Sequence, residues 1–113
     1  MIVLRLGIEP TDMELDERDR MKLTVSATNA GTEMVDPELY RADLLVNGER
    51  SQHFSDTIGN GRREQKWYAL VPGDTVSMTW GGLGRALLPE PGEYTLVLSR
   101  GEEEAEPVTV TVR

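Results

Sequence analysis

The side chains best suited to chemistry form a basic and aromatic cluster within residues 59–68, GNGRREQKWY. Arginine and aromatic side chains carry much of the binding energy at protein interfaces, so the cluster predicts a partner-binding loop. A second interpretation stays open, in which this segment crosses between two sheets and one of its aromatic rings enters the core. The residues of the predicted loop are Arg62, Arg63, Lys66, Trp67 and Tyr68.

Catalytic motifs are absent from the rest of the sequence. His53 is the one histidine, so a serine triad or a histidine metal site would have to include it. It stands in ERSQHFSD beside Ser51 and Ser55, without the pattern of a nucleophile elbow. The glycines of residues 80–86, WGGLGRA, lack the lysine and serine or threonine of a phosphate-binding loop and indicate a flexible connection. We therefore predict a non-catalytic protein with no cofactor.

Two acidic segments contain enough carboxylates to raise the hypothesis of a calcium site. Residues 30–38, AGTEMVDPE, and residues 101–107, GEEEAEP, would connect strands at the same end of a sandwich. The spacing of a dedicated calcium loop is missing, so we interpret the carboxylates as solvated and expect no metal. These carboxylates belong to Glu33, Asp36, Glu38, Glu102, Glu103, Glu104 and Glu106.

Composition narrows the class of protein further. The chain contains no cysteine, which excludes disulfides, thiol catalysis and cysteine-based metal sites. A net charge of −8 disfavours nucleic acid and anionic lipid membranes as partners, because both need a basic surface. No segment has the roughly 18 apolar residues of a membrane span and no signal peptide is visible, so we expect a cytoplasmic location for the chain as given. A secreted or envelope origin stays open, because a removed leader would leave no trace.

An alternation of apolar and polar residues with a period of two runs through the chain and predicts half-buried strands. Asn47–Gly48 predicts a hairpin with a partner strand near residues 49–54, because both residues tolerate a positive φ. Residues 10–22 lack a helical stripe and are interpreted as a loop or edge segment, and no other stretch predicts a helix. The alternating segments lie within residues 2–8, 23–27, 39–46, 76–80, 94–98 and 108–112, with a less regular strand at 66–71.

Short strands at this spacing, separated by proline and glycine turns, are typical of a two-sheet antiparallel sandwich. In LLPEPGEYTLVLS, residues 87–99, a proline–glycine turn leads directly to Tyr94 and a strand. In immunoglobulin-like sandwiches such a tyrosine folds its hydroxyl back onto the upstream backbone, an arrangement called the tyrosine corner. We therefore predict that residues 1–113 form a single domain, an all-β immunoglobulin-like antiparallel β-sandwich of seven to eight strands in two sheets.

A longer pattern resembles the bacterial intracellular proteinase inhibitor family, which has an immunoglobulin-like sandwich fold. The shared features are a leucine–x–x–glycine turn at Leu70, a strand ending in Trp80, and the proline–glutamate–proline–glycine–x–tyrosine turn before Tyr94. LTVSATNAGT, residues 23–32, resembles the second strand of that family. The resemblance is carried mainly by residues 70–98, and we interpret Trp80 and Tyr94 as structural residues.

These observations predict a non-catalytic protein-interaction module that binds another protein through end loops or an exposed sheet edge. The most specific form of this hypothesis, implied by the resemblance, is a proteinase-inhibitor-like domain whose partner is a protease. Two alternatives stay open: a structural or accessory sandwich domain of a larger envelope or secreted protein, and a carbohydrate-binding module that stacks sugars on Trp67 or Tyr68. The sequence does not fix an oligomeric state.

Overall fold

Two β-sheets pack face to face in the computed structural model, which describes residues 1–59 and 65–113. The strands are β1 (Ile2–Glu9), β2 (Asp12–Met13), β3 (Lys22–Asn29), β4 (Asp43–Val46), β5 (Glu49–Arg50), β6 (Thr75–Gly81), β7 (Gly92–Arg100), β8 (Glu103–Glu104) and β9 (Val108–Val112). The first sheet has the order β1–β3–β6, and the second has the order β2–β9–β7–β4–β5, with β8 paired to the end of β7.

Short helices join these strands. The helices are α1 (Gln52–Gly59), α2 (Gly84–Leu87) and three 3₁₀ helices, Leu15–Arg20, Leu39–Arg41 and Gln65–Trp67. Within residues 1–59 and 65–113, none of them has the length and apolar composition needed to cross a membrane.

The apolar faces of both sheets contribute to one hydrophobic core. Leu23, Val25 and Ala27 of β3 are fully buried, and Leu96 and Leu98 of β7 are buried in the second sheet. Successive side chains of a strand point to opposite faces, so the alternation in the sequence becomes burial in the structure. The predicted two-sheet sandwich is confirmed, with nine strands in the described residues rather than seven or eight.

The solvent face of the first sheet carries three cross-strand pairs of hydroxyl groups, which we call the hydroxyl ladder. Each pair joins β3 to β6 at directly opposed positions, with oxygen–oxygen distances of 2.7–2.8 Å. Cross-strand hydrogen bonds of this kind stabilise a sheet by a few tenths of a kcal/mol each, up to about 1. The pairs are Thr24–Thr79, Ser26–Ser77 and Thr28–Thr75.

The structure contains a helix that the sequence analysis does not predict. The Asn47–Gly48 hairpin forms, but its second strand ends at Arg50, and α1 follows instead of a longer strand. The Ser51 hydroxyl accepts a hydrogen bond from the Phe54 backbone N–H at 3.1 Å, which caps the start of the helix. Phe54 and Ile58, four residues apart, bury one face of α1. Two apolar residues are too few to give a stripe that can be recognised in the sequence.

Strand β4 is shorter than the alternation in residues 39–46 predicts. Glu38 has a left-handed backbone with a φ of 50°, and residues 39–41 then turn as a 3₁₀ helix. The Leu39 side chain is fully buried from that turn rather than from a strand. Regular pairing with β7 therefore begins only at Asp43.

The prediction of a less regular strand at residues 66–71 is wrong. The chain forms the 3₁₀ helix Gln65–Trp67, and within the predicted strand only Leu70 makes a β-bridge, with Val35. The period-two alternation fails here because a tight helical turn, not a pleated strand, directs the Trp67 ring into the core.

Residues 10–22 contain the predicted edge segment, but six residues of the predicted loop form a 3₁₀ helix. Strand β2 is a two-residue edge strand that pairs in parallel with β9, and the 3₁₀ helix Leu15–Arg20 follows it. A reciprocal capping box formed by Glu14 and Glu17 begins this helix.

The segment at residues 80–86 is a tightly packed junction rather than the flexible connection that its glycines predict. Strand β6 continues to Gly81, and α2 starts at Gly84, which is buried. A Cβ atom on Gly84 would stand 2.2 Å from the carbonyl oxygen of Arg18, a distance at which atoms collide. Glycine is therefore required here because two backbone segments touch.

Hydrogen bonds from the Arg18 side chain stabilise this junction. Its guanidinium is buried, with 8% of the residue exposed, and all its hydrogen bonds in the described residues go to backbone carbonyls. Nε donates to Leu15 O at 2.8 Å, and Nη1 donates to Leu88 O at 2.9 Å and to Pro89 O at 3.0 Å. A buried charge needs such partners, since a buried charged donor without an acceptor destabilises the fold by several kcal/mol. The bonds join the segment before β3 to the segment before β7.

An exposed ion pair borders the same junction. Arg85 Nε and Nη2 donate to the two carboxylate oxygens of Asp19 at 2.7 and 3.1 Å. The hydrogen bond from Arg85 is the main cause that lowers the pKa of Asp19 below its usual value, and the same bond raises the pKa of Arg85. Because both groups are exposed, the pair contributes little to the free energy of unfolding.

The Tyr94 hydroxyl folds back onto the backbone of the preceding turn. It donates to Glu90 O at 2.6 Å and accepts from Glu90 N–H at 3.1 Å. Two bonds to one residue fix the chain between α2 and β7, where Pro91 and Gly92 reverse its direction. Gly92 has a φ of 151°, which a residue with a side chain rarely adopts.

Replacement of Tyr94 by phenylalanine tests the energetic value of this corner. We expect Tyr94→Phe to lower the free energy of unfolding by about 1 kcal/mol, because the ring packing is kept and only the hydroxyl bonds are lost. Urea unfolding followed by tryptophan fluorescence measures the change. An unchanged midpoint would show that the corner does not contribute.

Replacement of Gly84 tests the junction. We expect Gly84→Ala to lower the free energy of unfolding by at least ~2 kcal/mol, because the new methyl group forces α2 away from the Arg18 backbone. Gly81→Ala is the matched control, since no atom lies within 4 Å of its added Cβ. Equal unfolding midpoints for the two variants would contradict the close contact.

Candidate functional site

The predicted partner-binding loop is only partly described by the structure. Arg62 and Arg63 lie outside the described residues. Lys66 is exposed, and its Nζ lies 3.6 Å from Asp74 Oδ1. Tyr68 is 47% exposed and its ring centroid lies 6.0 Å from that of Tyr40, at an interplanar angle of 47°.

Trp67 is a correction to the predicted loop. Only 2% of the residue is exposed, so its ring belongs to the core and is not available to a partner. The physical reason is the scarcity of large rings, since only 5% of the residues are aromatic and an indole fills the largest volume. The interpretation that one aromatic ring enters the core thus describes Trp67, while Tyr68 stays at the surface.

A β-bridge brings the segment after Trp67 against the acidic loop 30–38. Val35 N–H donates to Leu70 O at 3.0 Å, and Leu70 N–H donates to Val35 O at 2.7 Å. Met34 and Val71 are the neighbours of the two bridged residues, one on each segment. Their side chains are 63% and 48% exposed, so the bridge presents two apolar groups to solvent.

Met34, Tyr68 and Val71, with Lys66 at the margin, define what we call the 34–71 surface. Its three apolar members are half of the six large apolar side chains that the described residues expose. Each lies within two residues of the Val35–Leu70 bridge. Exposed apolar groups gathered at one place mark interaction sites more often than single ones do.

A buried asparagine holds the 34–71 surface in place. Asn29 is 1% exposed, and its Nδ2 donates to Glu33 O and to Leu70 O, both at 2.8 Å. Its Oδ1 accepts from Gly31 N–H at 2.9 Å, and its backbone carbonyl accepts from Gly73 N–H at 2.8 Å. One residue therefore fixes both segments of the bridge relative to the end of β3.

The acidic segments form no ion site in the part of the chain that the structure describes. Residues 1–59 and 65–113 contain no group of three or more histidine, aspartate or glutamate side chains arranged to hold a metal. Asp36 Oδ1 accepts from the Glu38 backbone N–H at 2.8 Å, and Glu103 lies 3.6 Å from Arg100 Nη2. The calcium hypothesis therefore lacks a ligand set in these residues.

The residues around His53 have structural partners. Ser51 Oγ caps α1, and Ser55 Oγ donates to Ser51 O at 3.1 Å. His53 is exposed on α1, and its carbonyl accepts from Thr57 Oγ1 at 2.9 Å. Both serine hydroxyls thus serve the start of a helix rather than an arrangement with the imidazole.

Trp80 is half-buried on β6, and its ring meets Phe54 edge-on, with centroids 6.0 Å apart and an interplanar angle of 78°. Edge-to-face pairs stabilise a core by about 0.5–1.5 kcal/mol beyond their buried area. This ring contact links α1 to β6.

Sequence reasoning missed Met34 and Val71. The signal that could have found them is a lone apolar residue among turn and acidic residues, as in GTEMVDPE and ALVPGD. Such residues have no periodic reason to be apolar. The bridge that pairs the two segments is a long-range contact, so their proximity could not be read from the sequence.

Comparisons with known proteins support the fold. No family model and no curated protein matches the sequence. The structure is similar to the CARDB domain of the PF1109 protein of Pyrococcus furiosus, solved in complex with di-metal ions, at a TM-score of 0.54 and 12% identity over 99% of this chain and 92% of that one. It is also similar to part of the β-glucosidase EmGH1 of Erythrobacter marinus, at a TM-score of 0.55 and 16% identity. The whole of this chain matches 15% of that enzyme.

These likenesses confirm the predicted fold class, an immunoglobulin-like β-sandwich. At 12% and 16% identity these similarities are evidence for the fold and for nothing more. No family match supports the resemblance to the proteinase inhibitor family. The fold that the resemblance implies is confirmed, whereas the inhibitory activity that it implies stays a hypothesis.

Replacement of Asn29 tests the support of the 34–71 surface. We expect Asn29→Asp to lower the free energy of unfolding by about 3 kcal/mol, because the Nδ2 group that donates to two carbonyls becomes one carboxylate oxygen that faces both of them. Thr28→Ala, one residue earlier on the solvent face, should cost less than about 1 kcal/mol. Thermal unfolding measured by calorimetry compares them, and similar losses would contradict the role of Asn29.

Proposed function

We propose that this protein is a non-catalytic protein-interaction module that contacts its partner through the 34–71 surface. The observation that carries the proposal is that three exposed apolar residues, Met34, Tyr68 and Val71, each lie within two residues of one β-bridge. Tyrosine and methionine are enriched at interfaces, and a Tyr side chain gives a large contact area at low cost in conformational entropy.

Rigidity supports this choice of surface. Binding through a mobile segment loses free energy in ordering that segment. The Val35–Leu70 bridge and the three side-chain hydrogen bonds of Asn29 fix this backbone before any partner arrives. The partner that fits is a protein with an apolar recess, because the centre of the surface carries no charge and Lys66 already faces Asp74.

Protease inhibition is the specific form of the proposal. Its support is the resemblance over residues 70–98, which begins at the Leu70 bridge, and the arginines of the predicted loop that would suit a trypsin-like specificity pocket. The hydrogen-bonded backbone at Leu70, two residues after Tyr68, also suits inhibition, since the inhibitor must resist cleavage while it occupies the protease.

An accessory domain of a larger protein is the second candidate function. The likeness to 15% of a β-glucosidase chain favours it, because there the same fold is one portion of a longer chain. Carbohydrate binding is less favoured: Trp67 is buried, and Tyr68 is tilted against Tyr40 rather than set as a flat open platform.

The first experiment titrates a subtilisin-like and a trypsin-like serine protease with the intact chain, while mass spectrometry follows cleavage of the added protein. Stoichiometric loss of protease activity with the chain uncut supports inhibition. Full protease activity excludes inhibition of these two classes and moves the test to affinity capture from a lysate of the source organism.

Surface variants decide whether the 34–71 surface is responsible. We expect Tyr68→Ser and Met34→Ser each to weaken binding of the captured or inhibited protein by about tenfold or more, as interface anchors do. Val3→Ser is the matched control, since Val3 is an exposed apolar residue on β1, at 38%, outside this surface. Equal affinity for all three variants would place the interface elsewhere.

A further inference from the structure

Strand β6 is an open sheet edge of unusual composition. Its sequence, TVSMTWG, has seven residues without a charge or a proline. Its backbone pairs with β3 on one side. In the described residues the one further hydrogen bond to its backbone runs from Thr75 N–H to Asp74 Oδ1 at 3.0 Å, so the rest of its other side is open. A long edge without charge or proline is a template for pairing with another strand.

The other sheet edges are protected in the ways that natural proteins use. Edges β2 and β5 have two residues each, and β5 consists of Glu49 and Arg50. Strand β1 is long, but it carries Arg5 and Glu9 on its solvent face. Short strands and charged side chains discourage edge-to-edge pairing. Of the edges formed by residues 1–59 and 65–113, β6 alone lacks both devices.

The core-facing side chains of β6 leave apolar surface uncovered at this edge. Met78 and Trp80 are half-buried, whereas Leu23 and Val25, their partners across β3, are completely buried. An additional strand beside β6 would cover this apolar surface and satisfy its free backbone groups. Both effects favour association.

We propose that two copies of this chain pair antiparallel through β6, about a two-fold axis at Met78, to form a continuous six-stranded sheet. This goes beyond the proposed function and uses a different surface. The axis at Met78 lies at the middle of the strand, so all seven residues find a partner. An isologous contact of this kind is the commonest way in which soluble proteins form dimers.

The sequence of β6 is complementary to itself in this register. Ser77 stands opposite Thr79 of the second copy, so the hydroxyl ladder continues across the axis. On the core face Val76 meets Trp80, and Met78 meets its own counterpart. Polar residues therefore pair with polar ones and apolar residues with apolar ones, as stable cross-strand pairs require.

Charge also favours a second copy at this edge. Two chains of net charge −8 repel each other, and the uncharged edge lets them approach with the least repulsion. Lys22 lies opposite Gly81 in β3, at one end of the strand, and Asp74 precedes the other end. The two-fold axis sets Lys22 of one copy about 10 Å from Asp74 of the other between Cα atoms, within the combined reach of the side chains.

Seven paired residues make a small interface, so the dimer is weak and depends on concentration. We expect the mass measured by sedimentation equilibrium to rise from 12.6 kDa towards twice that value between micromolar and millimolar chain. A chain that stays monomeric over this range would overturn the proposal.

Two lysine variants locate the interface. Ser77→Lys and Ser26→Lys each remove the same Ser26–Ser77 hydrogen bond, but only the first places a charge on the edge strand. We expect Ser77→Lys to weaken self-association at least about tenfold and Ser26→Lys to change it less than about twofold. Equal association of the two variants would contradict pairing through β6.

A cysteine variant tests the register and does not depend on the stability of the lysine variants. The chain has no cysteine, so Met78→Cys carries a single thiol, which faces its counterpart across the axis. Oxidation should trap a covalent dimer. Thr75→Cys is the control, because its two copies would lie about 20 Å apart in this register although Thr75 is more exposed. Trapping of the control alone would overturn the register.

Discussion

The buried guanidinium of Arg18 imposes the strictest requirement in this sandwich. A permanent positive charge removed from water needs hydrogen-bond acceptors, and here three backbone carbonyls accept from Nε and Nη1. Two of them belong to the turn that follows α2, so α2 must lie directly on the Arg18 segment. That contact leaves no room for a side chain at Gly84. One satisfied charge thus determines how the chain passes from the first sheet to the second.

Asn29 meets a similar requirement at the opposite end of β3 without a charge. Its amide and backbone connect loop 30–38 to the segment before β6, and the exposed apolar groups beside them are positioned as a result. Arg18 and Asn29, the buried polar or charged residues in the described part of the chain, therefore order the two ends of the sandwich. Loops that are fixed in this way can recognise a partner with little loss of conformational entropy.

Sequence reasoning performed well where local patterns determine structure. The period-two alternation located β1, β3, β6, β7 and β9, because a strand half-buried in a sandwich must alternate. The turn before Tyr94 indicated the hydroxyl contact with the backbone of Glu90, since only a few residues separate the two groups.

Sequence reasoning was less successful where long-range contacts determine the structure. The buried residues of α1 are only Phe54 and Ile58, so its sequence has no apolar stripe from which a helix could be predicted. Trp67 and Tyr68 are adjacent and chemically similar, yet one is buried and the other is exposed. Which ring turns inward depends on the space left by both sheets, and that space is unknown until the strands are assembled. The bridge between Val35 and Leu70 could not be predicted from the sequence for the same reason.

The hydroxyl ladder also determines which polar groups β3 and β6 present to solvent. In each pair, one hydroxyl proton forms the hydrogen bond between the two oxygens. The second proton and the remaining lone pairs can therefore bond to solvent. Neighbouring pairs recur at every second residue, roughly 7 Å apart along the strands. On the outer face of this sheet, β3 and β6 therefore present a row of neutral donors and acceptors to solvent, beside the charged Arg5 and Glu9 of β1.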